Sequence, residues 1–246
     1  MLNKYQKDNF DFFALHNELI KVTDSLNGSK SLLASKYCER YPQGIVTCGS
    51  RFSIQVLSFA KTCEKLNVPC IVCIPSGKET DMIKQLKNTN ATIKYISPAY
   101  NTVLNARARE TASELGYGYV PLGMLEEFAF EIISNIVLDN IDAIKNVNRI
   151  IVPVGSGTTL IGVAYGIKKA KLNIPILGVM VGMDATKNIF KKNLEYINGC
   201  NITLVKSEDD YNKQINNDII PDLNKTYEAK CLPYIQGNDL FWIVDK

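Results

Sequence analysis

The sequence predicts an α/β fold in which parallel-rich twisted sheets are flanked by helices. Two observations carry this. Short runs rich in Ile and Val, such as GIVTC, CIVCI and RIIVPV, alternate with segments of helical periodicity along most of the chain. The composition is also ordinary for a globular chain, with 246 residues, 46% hydrophobic, 22% charged, 15 Gly and 9 Pro. That is enough to bury one large α/β domain or two closely joined ones.

Taken in order, residues 11–26 read as a helix with apolar positions at Phe12, Phe13, Leu15, Leu19 and Ile20. Residues 44–48 read as a strand and 52–66 as a helix. The same pairing recurs at 70–74 and 79–88, at 91–96 and 101–115, and at 117–120 and 125–138. It recurs again at 149–154 and 158–170, and at 175–182 and 184–194. Residues 201–205 and 240–244 read as further strands. The polar stretch 206–227 is the loosest part and reads as including a surface helix. No internal repeat and no low-complexity linker interrupts the pattern.

Composition excludes several function classes. No apolar run reaches the length of a membrane span, and the first twenty residues mix charge with aromatics in a way a signal peptide does not. Seven scattered cysteines, an odd number without framework spacing, argue against a disulfide scaffold and for a reducing cytoplasm. Cys70 and Cys73 form a C-x-x-C, but on an expected strand, where residues three apart face opposite sides. They read as core cysteines, and no metal-ligand spacing occurs elsewhere. The net charge of +3 is evenly spread, without the basic patch that marks nucleic-acid binders. His16, the only histidine, has no carboxylate or cysteine constellation around it in sequence.

The strongest motif is RIIVPVGSGTTLIG: a buried strand, a glycine turn at Gly155-Ser156-Gly157, then Thr158-Thr159 opening a helix. Such a turn aims backbone N–H groups and the positive end of a helix dipole at one point, which suits a phosphate. Ser156, Thr158 and Thr159 add hydroxyl donors. No lysine follows the second glycine as a Walker A loop requires. No acidic residue ends the next strand, PILGVMVG, where a dinucleotide ribose needs one. On the glycine pattern alone, an unliganded βα turn is as good a reading as a phosphate site.

VPVGSGTTLIGVAYGIKK resembles the phosphate-binding segment of fold-type II pyridoxal 5'-phosphate (PLP) enzymes, the tryptophan synthase β-like group. Four further segments resemble that group, in its order: Asn27-Gly28-Ser29-Lys30, residues 46–75, residues 117–132, and LNKTYEAKCLPYI at 223–235. The last two bring the chain nearest the aminocyclopropane-carboxylate deaminase and D-cysteine desulfhydrase branch, though it is shorter than that branch usually is. The resemblance implies a two-domain fold, with residues 1–41 and 123–246 forming a large PLP-binding domain and 42–122 a small inserted one. PLP would lie between them, with Lys30 forming the Schiff base and Gly155–Thr159 holding the phosphate.

The same resemblance implies further roles. Ser50, Arg51 and Phe52 stand in the loop that holds the substrate carboxylate, at a strand end and a helix start that is itself a natural anion site. Arg51 stands where the family has the Asn facing the cofactor's phenolic oxygen. Tyr227 matches a family tyrosine beside the active site, and a core tyrosine is an equal reading. Val244 and Asp245 replace the usual Thr-Gly or Ser-Gly near the pyridine nitrogen. Asp245 there would pair with a protonated nitrogen, against the plainer reading of a frayed end. A lysine at a helix start is ordinarily a solvated side chain, and only the accompanying motifs make Lys30 a nucleophile.

The expectation is therefore a cytoplasmic PLP-dependent lyase or deaminase, homodimeric by analogy, acting on a small amino acid or amine. Lys30 would remove the Cα proton, and elimination or deamination would follow. Three alternatives stand beside it. One is a PLP-dependent decarboxylase or lyase acting on an amino-acid adduct of a DNA base, as in phage-type modification pathways. Another is a non-catalytic PLP-binding module. The third is a dinucleotide-dependent reductase, which rests on the glycine loop alone.

Overall fold

The computed structural model describes residues 2–15, 28–98, 100–182 and 184–244. The chain divides into two compact units, one of Met1–Leu19 with Leu125–Lys246 and one of Ile20–Met124.

The first unit is built on a six-stranded sheet. Its strands are β1 (Leu2–Lys7), β2 (Phe10–Leu15), β7 (Arg149–Val154), β8 (Ile176–Met180), β9 (Ile202–Lys206) and β10 (Asp239–Trp242), in the order β1-β2-β10-β7-β8-β9. Only β1 and β2 pair antiparallel; every other pair is parallel. The helices of this unit are α5 (Glu127–Asp139), α6 (Ile141–Ile144), α7 (Thr158–Lys169) and α8 (Leu194–Ile197). A π-helical turn spans Asn188–Lys192 and a 3₁₀ segment spans Glu228–Tyr234.

The second unit has a four-stranded, all-parallel sheet: β3 (Ile45–Cys48), β4 (Cys70–Pro75), β5 (Thr92–Ile96) and β6 (Gly118–Val120), in the order β5-β4-β3-β6. Its helices are α1 (Ser29–Arg40), α2 (Ile54–Lys65), α3 (Asp81–Lys87) and α4 (Asn101–Leu115).

Burial explains which strands are central. The contiguous apolar runs of β7 and β3 are buried along almost their whole length, as strands covered on both faces must be. The edge strands β5 and β9 alternate or are exposed. On the surface of the first sheet, α5 lies directly against α7. A side chain at Gly166 would meet Val137 Cβ at 2.5 Å and the Ser134 carbonyl oxygen at 2.9 Å, so only glycine permits this approach.

Three local expectations change. Phe10–Leu15 is a strand, not the start of a helix, and residues 16–26 of that expected helix, with His16, lie outside the described residues. Phe12 and Ala14 are wholly buried while Asp11 is exposed, a two-residue alternation driven by pairing with β1 on one side and β10 on the other. The stretch 207–227 contains no helix; side chains order it locally, as where Asn217 Oδ1 accepts from the amides of Ile219 and Ile220. The helix expected at 184–194 forms over 186–192, mostly as the π-helical turn. In addition α1, placed with the large domain from the sequence, packs on α2 within the second unit.

A buried ion pair locks the N-terminal ends of the two central strands. Asp239, 1% exposed, pairs in register with Arg149 and accepts from its Nε at 3.0 and 3.1 Å and its Nη2 at 2.9 Å. Arg149 also donates to the Tyr234 carbonyl, and the Gln236 amide donates to Asp239. Asp239→Ala leaves that amide and much of the guanidinium without an acceptor. Because Arg149 is partly exposed, the cost falls below that of a fully buried pair, at about 2–3 kcal/mol. A denaturant midpoint unchanged from the parent protein would contradict this.

Candidate functional site

The anion site of the first unit forms at the C-terminal edge of its sheet. Central strand β7 ends at Val154, and the chain turns through Gly155, Ser156 and Gly157 into α7. Gly157 has φ +100°, and a side chain there would meet Ile189 at 2.8 Å, so both conformation and packing demand glycine. The N-cap residue of α7, Gly157, has no side chain with which to cap it. The first helical bond runs from the Ile161 amide to the Gly157 carbonyl, so the preceding first-turn amides lie ahead of the hydrogen-bond ladder. Ser156 Oγ and Thr158 Oγ1 are 3.0 Å apart at the same turn, and Thr159 is partly exposed beside them. First-turn amides, two adjoining hydroxyls and the helix dipole gathered at one turn suit a dianionic phosphate.

Tyr227 closes one side of this loop. Its hydroxyl lies against Gly155, where a side chain would come within 2.8 Å of that oxygen. Burial, followed by the nearby Glu228, holds the phenol well above its usual value. The hydroxyl therefore stays neutral across the working pH range. Tyr227→Phe should remove none of the phenolate absorbance that the protein develops up to about pH 10. Loss of a titrating phenol in that range would show that Tyr227 ionises normally.

Lys230, three residues on, is 1% exposed and donates to the carbonyls of Asp210 (2.6 Å) and Tyr211 (2.7 Å). Desolvation lowers its pKa. It pins the loop after β9, whose Tyr211 ring lies 3.2 Å from where a Gly182 side chain would stand. Its place three positions after Tyr227 in LNKTYEAK was the available sequence signal; its burial was not legible.

In the second unit, Lys30 is the second residue of α1. The helix follows Gly28 (φ 119°), which is also buried; Ser29 is buried and Lys30 half-buried. The Ser50 turn follows β3 in this unit. Ser50 is exposed, and its hydroxyl accepts from the Phe52 amide at 3.2 Å, which leaves its proton available to a ligand. Phe52 is 43% exposed. Arg51 is directed elsewhere in part: its Nη1 donates to the Lys78 carbonyl at 2.9 Å, over Gly77. Asp245 lies outside the described residues.

Two residues not singled out from the sequence hold this region. Gln55, 3% exposed in the first turn of α2, donates to Thr47 and the Pro121 carbonyl and accepts from the Gly123 amide. Asn105 accepts from the Tyr119 hydroxyl at 2.6 Å and the Leu122 amide at 3.0 Å. Together they fix the segment that follows β6. A glutamine on an otherwise apolar helix face was the only hint.

A glycine turn leading from a central parallel strand into a helix is the phosphate-binding geometry of many α/β proteins. The pyridoxal-phosphate dependent enzyme family matches residues 26–210, three quarters of the chain, and the chain belongs to it. PLP is its cofactor, and the Gly155–Thr159 loop fits the phosphate of that group. Human serine racemase is 26% identical over 156 residues, 63% of this chain and 44% of the racemase. The match thus spans less than half of that enzyme. Among solved structures, a homologue of ACC deaminase superimposes with a TM-score of 0.73 at 17% identity, covering 96% of this chain and 84% of that one. Maize serine racemase gives a TM-score of 0.60 at 13% identity, covering 80% and 67%. The fold is the two-domain fold-type II PLP fold. Among the described residues no three His, Cys, Asp or Glu side chains could hold a metal, and no helix is long and apolar enough to cross a membrane.

Proposed function

We propose that this chain catalyses Cα–H cleavage on a small amino acid or amine, followed by elimination and deamination. The observation that carries the reading is the Gly155–Thr159 turn between β7 and α7. Its amides and hydroxyls would hold the cofactor phosphate, and Tyr227, with a neutral hydroxyl, backs that turn at Gly155. Lys30 Nζ would hold the cofactor and would take the Cα proton. Ser50, with the α2 N-terminus, binds the substrate carboxylate, and Arg51 adds positive charge beside it. When bound, PLP supplies the electron sink that makes the Cα proton acidic.

Racemisation is the second reading, supported by the likeness to human serine racemase, since it begins with the same proton removal. The test is to load the purified chain with PLP, record its visible absorption, and screen small amino acids. Release of ammonia with a 2-oxo acid supports elimination. Interconversion of enantiomers without ammonia moves the assignment to racemisation. Activity only on an amino-acid adduct of a DNA base moves it to a nucleic-acid substrate. A lysine-linked absorption band unaffected by every amine would leave a binding module and overturn the enzymatic reading.

A further inference from the structure

The second unit holds Cys38, Cys48, Cys63, Cys70 and Cys73, five of the seven cysteines. They sort onto two sides. Cys73 lies near Cys48, whose thiol faces Asn105. On the other side Cys38, in the last turns of α1, brings its sulfur 3.5 Å from that of Cys63, near the end of α2. Cys70, at the start of β4, is the next thiol beside Cys63. A surface cavity of about 210 Å³ opens where β4 and β5 begin, and Cys63 and Cys70 line it beside Glu64, Asn67, Pro69 and Asn90. This is the edge of the sheet opposite the Ser50 turn.

We propose that Cys63, wholly buried behind this cavity, closes to a disulfide with Cys38 when the oxidant is a peroxide. The geometry supplies what the bond requires. The sulfurs are already in contact, and shortening to about 2.05 Å needs a side-chain turn and a small helix adjustment. A sulfenic acid formed at Cys63 has its resolving thiol beside it. In the first step the Cys63 thiolate attacks one peroxide oxygen and the O–O bond breaks. The hydroxide released takes up the proton that Cys63 lost, giving water. In the second step the Cys38 sulfur attacks the Cys63 sulfur and the S–O bond breaks. The departing hydroxide takes the Cys38 proton as a second water. Two thiols lose two electrons in all, and the peroxide gains them.

The resting state is the dithiol. The hydrogen bond with Cys63, then burial, holds the Cys38 thiol far above its usual value, with Glu39 adding to it. At Cys63 the contact with Cys38 pulls the thiol down, but the neighbouring Cys70 and burial outweigh it. Oxidation is therefore slow at neutral pH. Once formed, the link staples α1, which begins at Ser29–Lys30, to α2, which begins behind the Ser50 turn.

The test uses the full chain, treated with hydrogen peroxide under native conditions, alkylated, unfolded and mapped by mass spectrometry. The expected result is a Cys38–Cys63 cross-linked peptide about 2 Da lighter than the two thiol peptides. Free thiols should fall from seven to five and return with dithiothreitol. Cys63→Ser should give no link at Cys38, while Cys200→Ser should leave the link intact. If Cys63→Ser does not fold, the peptide map of the parent protein decides alone. Seven free thiols after treatment, a link between other cysteines, or a link formed only in denaturant would each overturn the proposal. None of these readouts depends on PLP or on turnover.

Discussion

Lys30→Ala should abolish the visible absorption of the lysine-bound cofactor and lower kcat by on the order of 10³-fold or more. A side chain that both carries the cofactor and moves the Cα proton has no substitute when it is cut to a methyl group. The fold should survive, because Lys30 is half-buried in the first turn of α1 while Leu32, Leu33, Ala34 and Tyr37 supply the buried face. Alanine is also a good helix residue. PLP should still bind through the phosphate loop, but without covalent attachment. Lys30→Arg should be equally inactive, since a guanidinium keeps the charge but cannot act as the nucleophile. The checks are absorption after PLP loading, retention on dialysis and turnover of the best substrate. A Lys30→Ala protein that keeps the band and the rate would move the attachment to another lysine.

Gly157→Val should weaken PLP binding by about 100-fold or more. Two costs add at this one position. The backbone at φ +100° excludes a β-branched residue, which costs about 1–3 kcal/mol or more. The new Cβ would also stand 2.8 Å from Ile189 Cγ1, in the turn that backs the loop. Relief of either strain rotates the first-turn amides of α7 away from the phosphate. Equilibrium dialysis against PLP, read beside a denaturation curve, separates lost binding from lost stability. Unchanged affinity would mean that the phosphate is held elsewhere.

How much of this was legible in the sequence depends on how local each signal is. The run from Arg149 to Val154 reads as a strand because β-branched apolar residues fill it, and it is buried because that composition suits no exposed position. The glycine turn and the helix after it follow from φ at Gly157 and from periodicity, both of which are written within a dozen residues. By contrast, Phe10–Leu15 carries apolar spacing that fits either period. Two neighbouring strands, one from the far end of the chain, chose the strand. The 207–227 stretch was misread for a related reason: its order comes from asparagine turns and from Lys230, not from any repeat.

By itself, then, the sequence determined the alternation of strands and helices, the glycine cradle and a lysine at a helix start, since each rests on steric and hydrogen-bonding rules that act over a few residues. Only the tertiary structure decided that Tyr227 backs Gly155 from 72 positions away, that Lys230 is buried against backbone carbonyls, that Arg51 leans on the Lys78 carbonyl, and that the Cys38 and Cys63 thiols meet. Those contacts join segments that share no local pattern. They form because packing two covered sheets to native density leaves each buried side chain few places to go.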